Sequence, residues 1–208
     1  MIRLPKVETK EEVLKAIKII EKYENLVKNQ KQTLLFIAIE SAKGVLNAFE
    51  VASSSKRIVG IALGGMDYLL DLKAEKLDER LELLYARQHL LHVARALKIN
   101  VFDCVYPNVN DDEGFIKEFT FIKKLGFDGK SIIHPKQIQL INEICKPTNV
   151  EILNAINLIK AFNENLKKSI AVFQYQGQMV DKPIIEKAQE IIDLAIELNL
   201  IKAEMLNE

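Results

Sequence analysis

The stretch TLLFIAIESAKGVLNAFEVASSSKRIVGIALGGMDY, residues 33–68, decides the fold. LLFIAI at 34–39 and RIVGIAL at 57–63 are unbroken apolar runs, too short for the buried helices of a large core and free of alternation. Runs of that kind predict strands covered on both faces, as in a parallel sheet. Between them, residues 43–53 read as a short helix. Strand, helix, strand in that space is a βα unit, and parallel strands joined by helices have right-handed crossovers.

Reading outward, the same alternation continues. IRLPKV at 2–7 is predicted as a strand, ending near Pro5. Residues 10–28 form a helix, with Val13, Ala16, Ile17 and Ile20 on one stripe. A long helix over 79–97 follows, with Leu81, Leu84, Leu91 and Ala94 predicted on its buried face. VFDCVY at 101–106 is the next strand, then a helix at 112–124 closed by Gly126. KSIIH at 130–134 is the fifth strand, with Pro135 opening a short helix. The tail changes character: a helix at 148–167 capped by Thr148, a hairpin over 171–180 turning at Gly177, and a final amphipathic helix at 183–200. The expected architecture is therefore α/β, a TIM-type (β/α) barrel of about five units where a full barrel takes eight. The expected division is 1–147 for the partial barrel and 148–208 for a helical tail or lid. Five strands leave the barrel open, so the strand at Ile2 to Val7 is an edge expected to recruit partners.

Composition narrows the function classes. The 208 residues carry 29 basic and 29 acidic side chains, a formal net charge of zero. No global field directs the chain to nucleic acid or to an anionic membrane. The N-terminus lacks an apolar signal core, and the longest apolar run is too short for a bilayer, so a cytoplasmic protein is expected. Cys104 and Cys145 have neither disulfide-framework nor zinc spacing and read as reduced thiols.

In a parallel barrel the chemistry gathers where strands end. The polar residues at those ends are Arg3, Lys6, Glu40, Asp67, Asp103, Asn108 and His134. Glu40 and Asp67 follow consecutive strands, a natural arrangement for a hard cation such as magnesium. By spacing alone the competing reading stands beside it: each carboxylate could cap the helix that follows. His89 and His92 read as a partly exposed helix face, His134 as a loop residue, and Tyr68 and Arg87 as packing and surface pairing. The acidic run 110–113 reads as a helix N-terminus, and Gly64-Gly65 lacks the spacing of a phosphate cradle.

The runs RLPKVET, AIESAKGVLNAFEVA, IVGIALGGMDYLLDL, LLYARQHLLHVARA, FDCVYPNVNDDEGF, KKLGFDGKSIIHPKQI and FQYQGQMVDKPIIEKAQ resemble, in order, the citrate lyase beta subunit family, which includes citramalyl-CoA and malyl-CoA lyases. The resemblance covers residues 2 to about 197 and implies a barrel, a Mg²⁺ cofactor and a hydroxyacyl thioester as substrate, linked to acyl carrier protein or CoA. It implies that Glu40 and Asp67 bind metal, that Glu40, Arg3 and Lys6 contact substrate, and that Asp181 is catalytic, reaching the active site of a neighbouring subunit. Met66 stands where family members often carry an acid. The family places further barrel strands ahead of RLPK, with an acidic run and a substrate-binding arginine that have no counterpart in this sequence. The implied activity is cleavage of citryl-thioester to oxaloacetate and acetyl-thioester. The alternatives are a citramalyl- or malyl-CoA lyase and a catalytically inactive fragment. The implied partners are further copies of the chain or other citrate lyase subunits.

Overall fold

The computed structural model describes residues 1–28, 31–167, 170 and 172–202. The described chain forms two compact units, Met1–Ile141 and Asn142–Glu208.

The first unit is built on five parallel strands, β1 (Ile2–Leu4), β2 (Leu35–Ile39), β3 (Ile58–Leu63), β4 (Asn100–Asp103) and β5 (Gly129–Lys130). They lie side by side in chain order, every pair parallel. All five side chains of β2 are buried, because the sheet is covered on both faces. On one face the Phe36 ring lies over Gly60, where a Cβ would come within 2.2 Å of it, and meets Phe102 with ring centroids 5.0 Å apart. Only a residue without a side chain leaves room for that aromatic pair.

Helices fill the connections: α1 (Lys10–Leu26), α2 (Ala42–Leu46), α3 (Ala48–Ser53), α4 (Gly65–Leu72), α5 (Leu84–Leu97) and α6 (Asp112–Leu125). α1 buries Val13 and Ile17, two members of its predicted stripe. Glu12 closes its N-terminus by accepting the backbone N–H groups of Glu8 (2.8 Å) and Thr9 (3.0 Å). Gly126 ends α6 at φ +106°, the left-handed conformation that glycine adopts without steric cost.

Three expectations are corrected. The helix predicted over 43–53 is two helices, α2 and α3, broken at Asn47, whose side-chain amide donates to the Glu8 carbonyl at 3.0 Å. The helix predicted over 79–97 opens with a 3-10 segment, Asp78–Leu83, before α5. Its stripe holds only in part: Leu91 and Ala94 are buried, with Leu83, Ala86, Arg87 and Leu90, while Leu81 and Leu84 are exposed. The change of helical pitch rotates the stripe. The strand predicted over 130–134 stops at Lys130. After Ser131 donates to the Asp103 carbonyl (2.9 Å) the chain turns away, leaving Ile132 and Ile133 exposed. β5 is an edge of the described sheet, so nothing extends its ladder.

α7 (Lys136–Cys145) follows Pro135. The second unit pairs α8 (Asn149–Leu166) with α9 (Lys182–Glu197), around Ala155, Ala188 and Ile192. The Thr148 hydroxyl caps α8 by accepting the Glu151 N–H at 3.2 Å. Between the two helices runs the hairpin of β6 (Phe173–Tyr175) and β7 (Gln178–Val180). Its turn residues Gln176 and Gly177 both have positive φ, the geometry that matches strand twist in a two-residue turn. Ala171, the first residue of the predicted hairpin run, and 203–208 lie outside the described residues. Among the described residues no helix is long and apolar enough to cross a membrane.

Candidate metal and substrate site

Two βα turns create the site. β2 runs into Glu40, and Ser41 then caps α2, its hydroxyl accepting the Gly44 N–H at 3.1 Å. β3 runs into Gly64 and Gly65, which deliver Asp67 in the first turn of α4. Neither acid caps a helix: the α2 cap is Ser41, and the α4 cap position is Gly64, with no side-chain bond. The capping alternative open in the sequence is therefore excluded for both residues.

Both carboxyls line one cleft. Burial and the neighbouring Asp67 carboxyl push Glu40 above the usual carboxylate range; Arg3 and Lys6 pull it partly back. Lys6 reaches Asp67 at 3.3 Å, but with side chains 69% and 49% exposed the pair is screened and adds little stability. A cleft of about 290 Å³ is lined by Lys6, Glu8, Glu40, Ser41, Asp67, Leu70 and Asp71.

The walls of the cleft are braced. Glu8 accepts the Ser41 hydroxyl at 2.7 Å and pairs with Lys43 at 3.2 Å; these contacts hold its carboxyl below the usual range. Asp71 accepts the Ala42 N–H at 2.7 Å, tying α4 to the start of α2. Gly64 is required by space: a Cβ there would stand 2.4 Å from Glu40 Cγ. Its φ of −97° is open to any residue, so the constraint is steric alone. Gly64→Ala is expected to displace the Glu40 side chain, to destabilise the fold by about 1–3 kcal/mol, and to weaken Mg²⁺ binding. A urea titration and a magnesium isotherm on the same preparation check this. An unchanged isotherm would contradict the packing argument.

The pair suits a hard cation. Two neighbouring carboxylates repel until a cation or a proton sits between them, and their oxygens are the donors magnesium prefers. Among the described residues no group of three or more His, Cys, Asp or Glu side chains forms a cage. Such an open pair leaves coordination positions for water and substrate oxygens.

The other polar strand ends are engaged elsewhere. Asp103 accepts both Nε and an Nη of Arg87 at 2.9 Å and the Lys130 ammonium at 2.7 Å, with all three side chains buried. Glu118 joins by pairing with Lys130 and with Arg80 and Arg87. Arg87 is thus a buried structural cation, which corrects the expectation of surface pairing. Tyr68 packs in the core as expected. Asn108 accepts the N–H of Asn110 in a local turn, and the exposed His134 accepts that of Lys136. His92 binds the Gln88 carbonyl of its own helix. The acidic run opens α6, with Asp111 accepting the Gly114 N–H at 2.9 Å and the Tyr106 hydroxyl.

In the second unit Asp181 occupies the cap position of α9, followed by Lys182 and Pro183, yet its side chain makes no capping bond and is exposed. Sequence reasoning passed over Lys130, Glu118 and the steric role of Gly64. A lysine directly before the apolar run SIIH was the available signal, because a buried lysine must find an anion.

Comparison with known proteins identifies the family. Residues 1–135 match the family described as HpcH/HpaI aldolase/citrate lyase. The chain is 44% identical to the citrate lyase subunit beta of Leuconostoc mesenteroides subsp. cremoris, over 98% of this chain and 68% of that protein. It is 33% identical to the mitochondrial citramalyl-CoA lyase of Rattus norvegicus, over 95% of this chain and 61% of that one. The fold superposes with TM-score 0.76 on a crystal structure of CitE from Mycobacterium tuberculosis in complex with magnesium, acetoacetate and coenzyme A. That match has 23% identity and covers 93% of this chain and 67% of the other.

Proposed function

The chain belongs to the HpcH/HpaI aldolase/citrate lyase family, and from that membership we propose that it acts as a citrate lyase beta subunit, cleaving a citryl thioester to oxaloacetate and an acetyl thioester with Mg²⁺. The observation that carries the reading is the pair of carboxyls, Glu40 and Asp67, that line one cleft at the ends of adjacent strands. Those two side chains would hold the metal. When bound, Mg²⁺ supplies Lewis acidity that lowers the pKa of the substrate hydroxyl and orients the bond to be broken.

The residues of the chain do the rest. Arg3 and Lys6 offer positive charge to the substrate carboxylates at the mouth of the cleft. The hydroxyl gives up its proton to the Asp181 carboxylate, and the bond between the hydroxyl-bearing carbon and the thioester methylene breaks. That carbon becomes the ketone of oxaloacetate, and the electron pair stays on the methylene as a thioester enolate. Asp181 returns one proton to that carbon. Its side chain, exposed and free of a capping bond, supports that role. In this proposal residues 1–147 carry the metal and residues 148–208 serve as a lid over a neighbouring copy's site. The chain then works as a homo-oligomer or with other citrate lyase subunits, in the cytoplasm. β1, an edge of the described sheet with Ile2 exposed, offers a surface for such assembly. Met66, exposed beside Asp67, leaves the surroundings of the metal less negative than an acid there would.

The test is direct. With citryl-CoA or citryl-carrier protein and Mg²⁺, the chain should release oxaloacetate, read as NADH oxidation by malate dehydrogenase, and chelation should stop it. The similarity to citramalyl-CoA lyase supports a second reading. Release of pyruvate from citramalyl-CoA, read with lactate dehydrogenase, would decide for it. No cleavage of any hydroxyacyl thioester would end the lyase proposal.

A further inference from the structure

Asp71 is an acid in a place that its own helix disfavours. It lies in the last turn of α4, where the helix dipole is negative, and no basic residue shares that turn. Asp67 lies four residues earlier, so the two project from one face of the helix. An acid set against the local preference calls for a partner elsewhere in the fold.

The partner is the start of α2. Asp71 accepts the Ala42 N–H at 2.7 Å, one of the N-terminal groups for which a helix has no internal acceptor. Ala42 is two residues past Glu40. One bond therefore joins the segment that carries Asp67 to the segment that carries Glu40. The strand register ends earlier, with Ile39 opposite Leu63, and the Gly64 N–H adds a bond to the Ile39 carbonyl at 2.8 Å. Both acids stand beyond that ladder.

The other side of α2 is held by different contacts. Glu8 accepts the Ser41 hydroxyl at 2.7 Å, and a Cβ on Gly44 would stand 2.8 Å from the Val7 carbonyl oxygen. These fix α2 to the turn after β1, which carries neither carboxyl. They do not set the gap between Glu40 and Asp67, whereas the Asp71 bond spans it. Magnesium demands near-ideal octahedral geometry, so a bond across that gap acts on affinity.

Building on the reading that Glu40 and Asp67 hold the metal, we propose that Asp71 is a positioning residue: its bond to the Ala42 N–H sets the spacing of those two carboxyls and with it their affinity for Mg²⁺.

Magnesium calorimetry on Asp71→Ala and Asp71→Asn tests the proposal without turnover. Asp71 is exposed, so neither change removes much packing. Asparagine keeps an acceptor oxygen on the same stem and drops the charge; alanine drops both. Asp71→Ala should weaken Mg²⁺ binding about ten-fold, the scale of one hydrogen bond to a charged acceptor. Asp71→Asn should recover most of that loss. Hydrogen exchange at the Ala42 amide, measured without metal, should speed up in Asp71→Ala and much less in Asp71→Asn. Equal losses of affinity in the two variants would mean that Asp71 acts by charge alone, which overturns the proposal. A lower urea midpoint in Asp71→Ala with an unchanged magnesium isotherm would make the bond a structural brace only, and overturns it too. Asp67→Ala separates the two levels of the argument. If it leaves the isotherm as in wild type, the metal reading itself fails; if it abolishes binding while Asp71→Ala changes nothing, the positioning role alone fails.

Discussion

Asp67→Ala is expected to reduce Mg²⁺-dependent cleavage by about a thousand-fold or more, the scale of losing several kcal/mol of charge stabilisation at the reacting oxygen. The substitution removes one of the two carboxylates that line the cleft and leaves the fold's packing intact, because the Asp67 side chain is 49% exposed. Asp181→Ala is expected to lower the rate about 10²–10⁴-fold by removing a general acid. The decisive experiment mixes the two variants. If Asp181 serves a neighbour's site, each variant is inactive alone, yet a mixed pair of subunits carries one site with both residues intact. Random pairing of equal amounts then restores about a quarter of the wild-type rate, half the pairs being mixed and half of their sites intact. No recovery in subunits shown by light scattering and label exchange to mix would mean that Asp181 serves its own chain or takes no part.

The second large effect is on stability. Arg80, Arg87, Lys130, Asp103 and Glu118 form a buried network of three cations and two anions. Asp103→Ala would leave three buried cations facing one carboxylate. Breaking a buried pair from one side costs about 3–5 kcal/mol, a large fraction of a typical domain stability of roughly 5–15 kcal/mol. Lys130→Met leaves the remaining charges balanced and should cost less. The urea midpoints of the two variants should fall in that order, and two midpoints close to wild type would refute the account.

The same network sets an acid limit. Burial pushes the Asp103 carboxyl up, but Lys130 and Arg87 outweigh it and hold the group below its ordinary range. A carboxyl whose folded pKa is depressed stabilises the fold fully above its unfolded value, about pH 4, and that stability is lost as pH falls through the lower folded value. In Asp103→Asn this contribution to acid unfolding should disappear, leaving stability flatter with pH below about 4. A stability–pH curve that keeps the wild-type slope there would assign acid sensitivity to other carboxyls.

Local chemistry was enough for much of this molecule. Leu35 to Ile39 is apolar at every position, which only a strand covered on both faces accommodates, and a strand of that kind needs a helical crossover to its parallel neighbour. The order of five strands, the glycine that ends α6, the Thr148 cap and the Gly177 turn all follow from residues adjacent in sequence. So does the position of Glu40 and Asp67 at strand ends. What the sequence could not decide is every feature whose partner is distant along the chain. Arg87 lies on a helix and reads as a surface residue; its burial depends on Asp103 and Lys130, which arrive from β4 and β5. The 3-10 turn before α5 rotates Leu81 and Leu84 to the outside, and the break at Asn47 follows from its bond to the Glu8 carbonyl. Gly64 looks like an ordinary turn glycine until the Glu40 side chain lies across it. Periodicity and capping report forces within a few residues, whereas ion pairing and steric exclusion act between segments that only the folded sheet brings together.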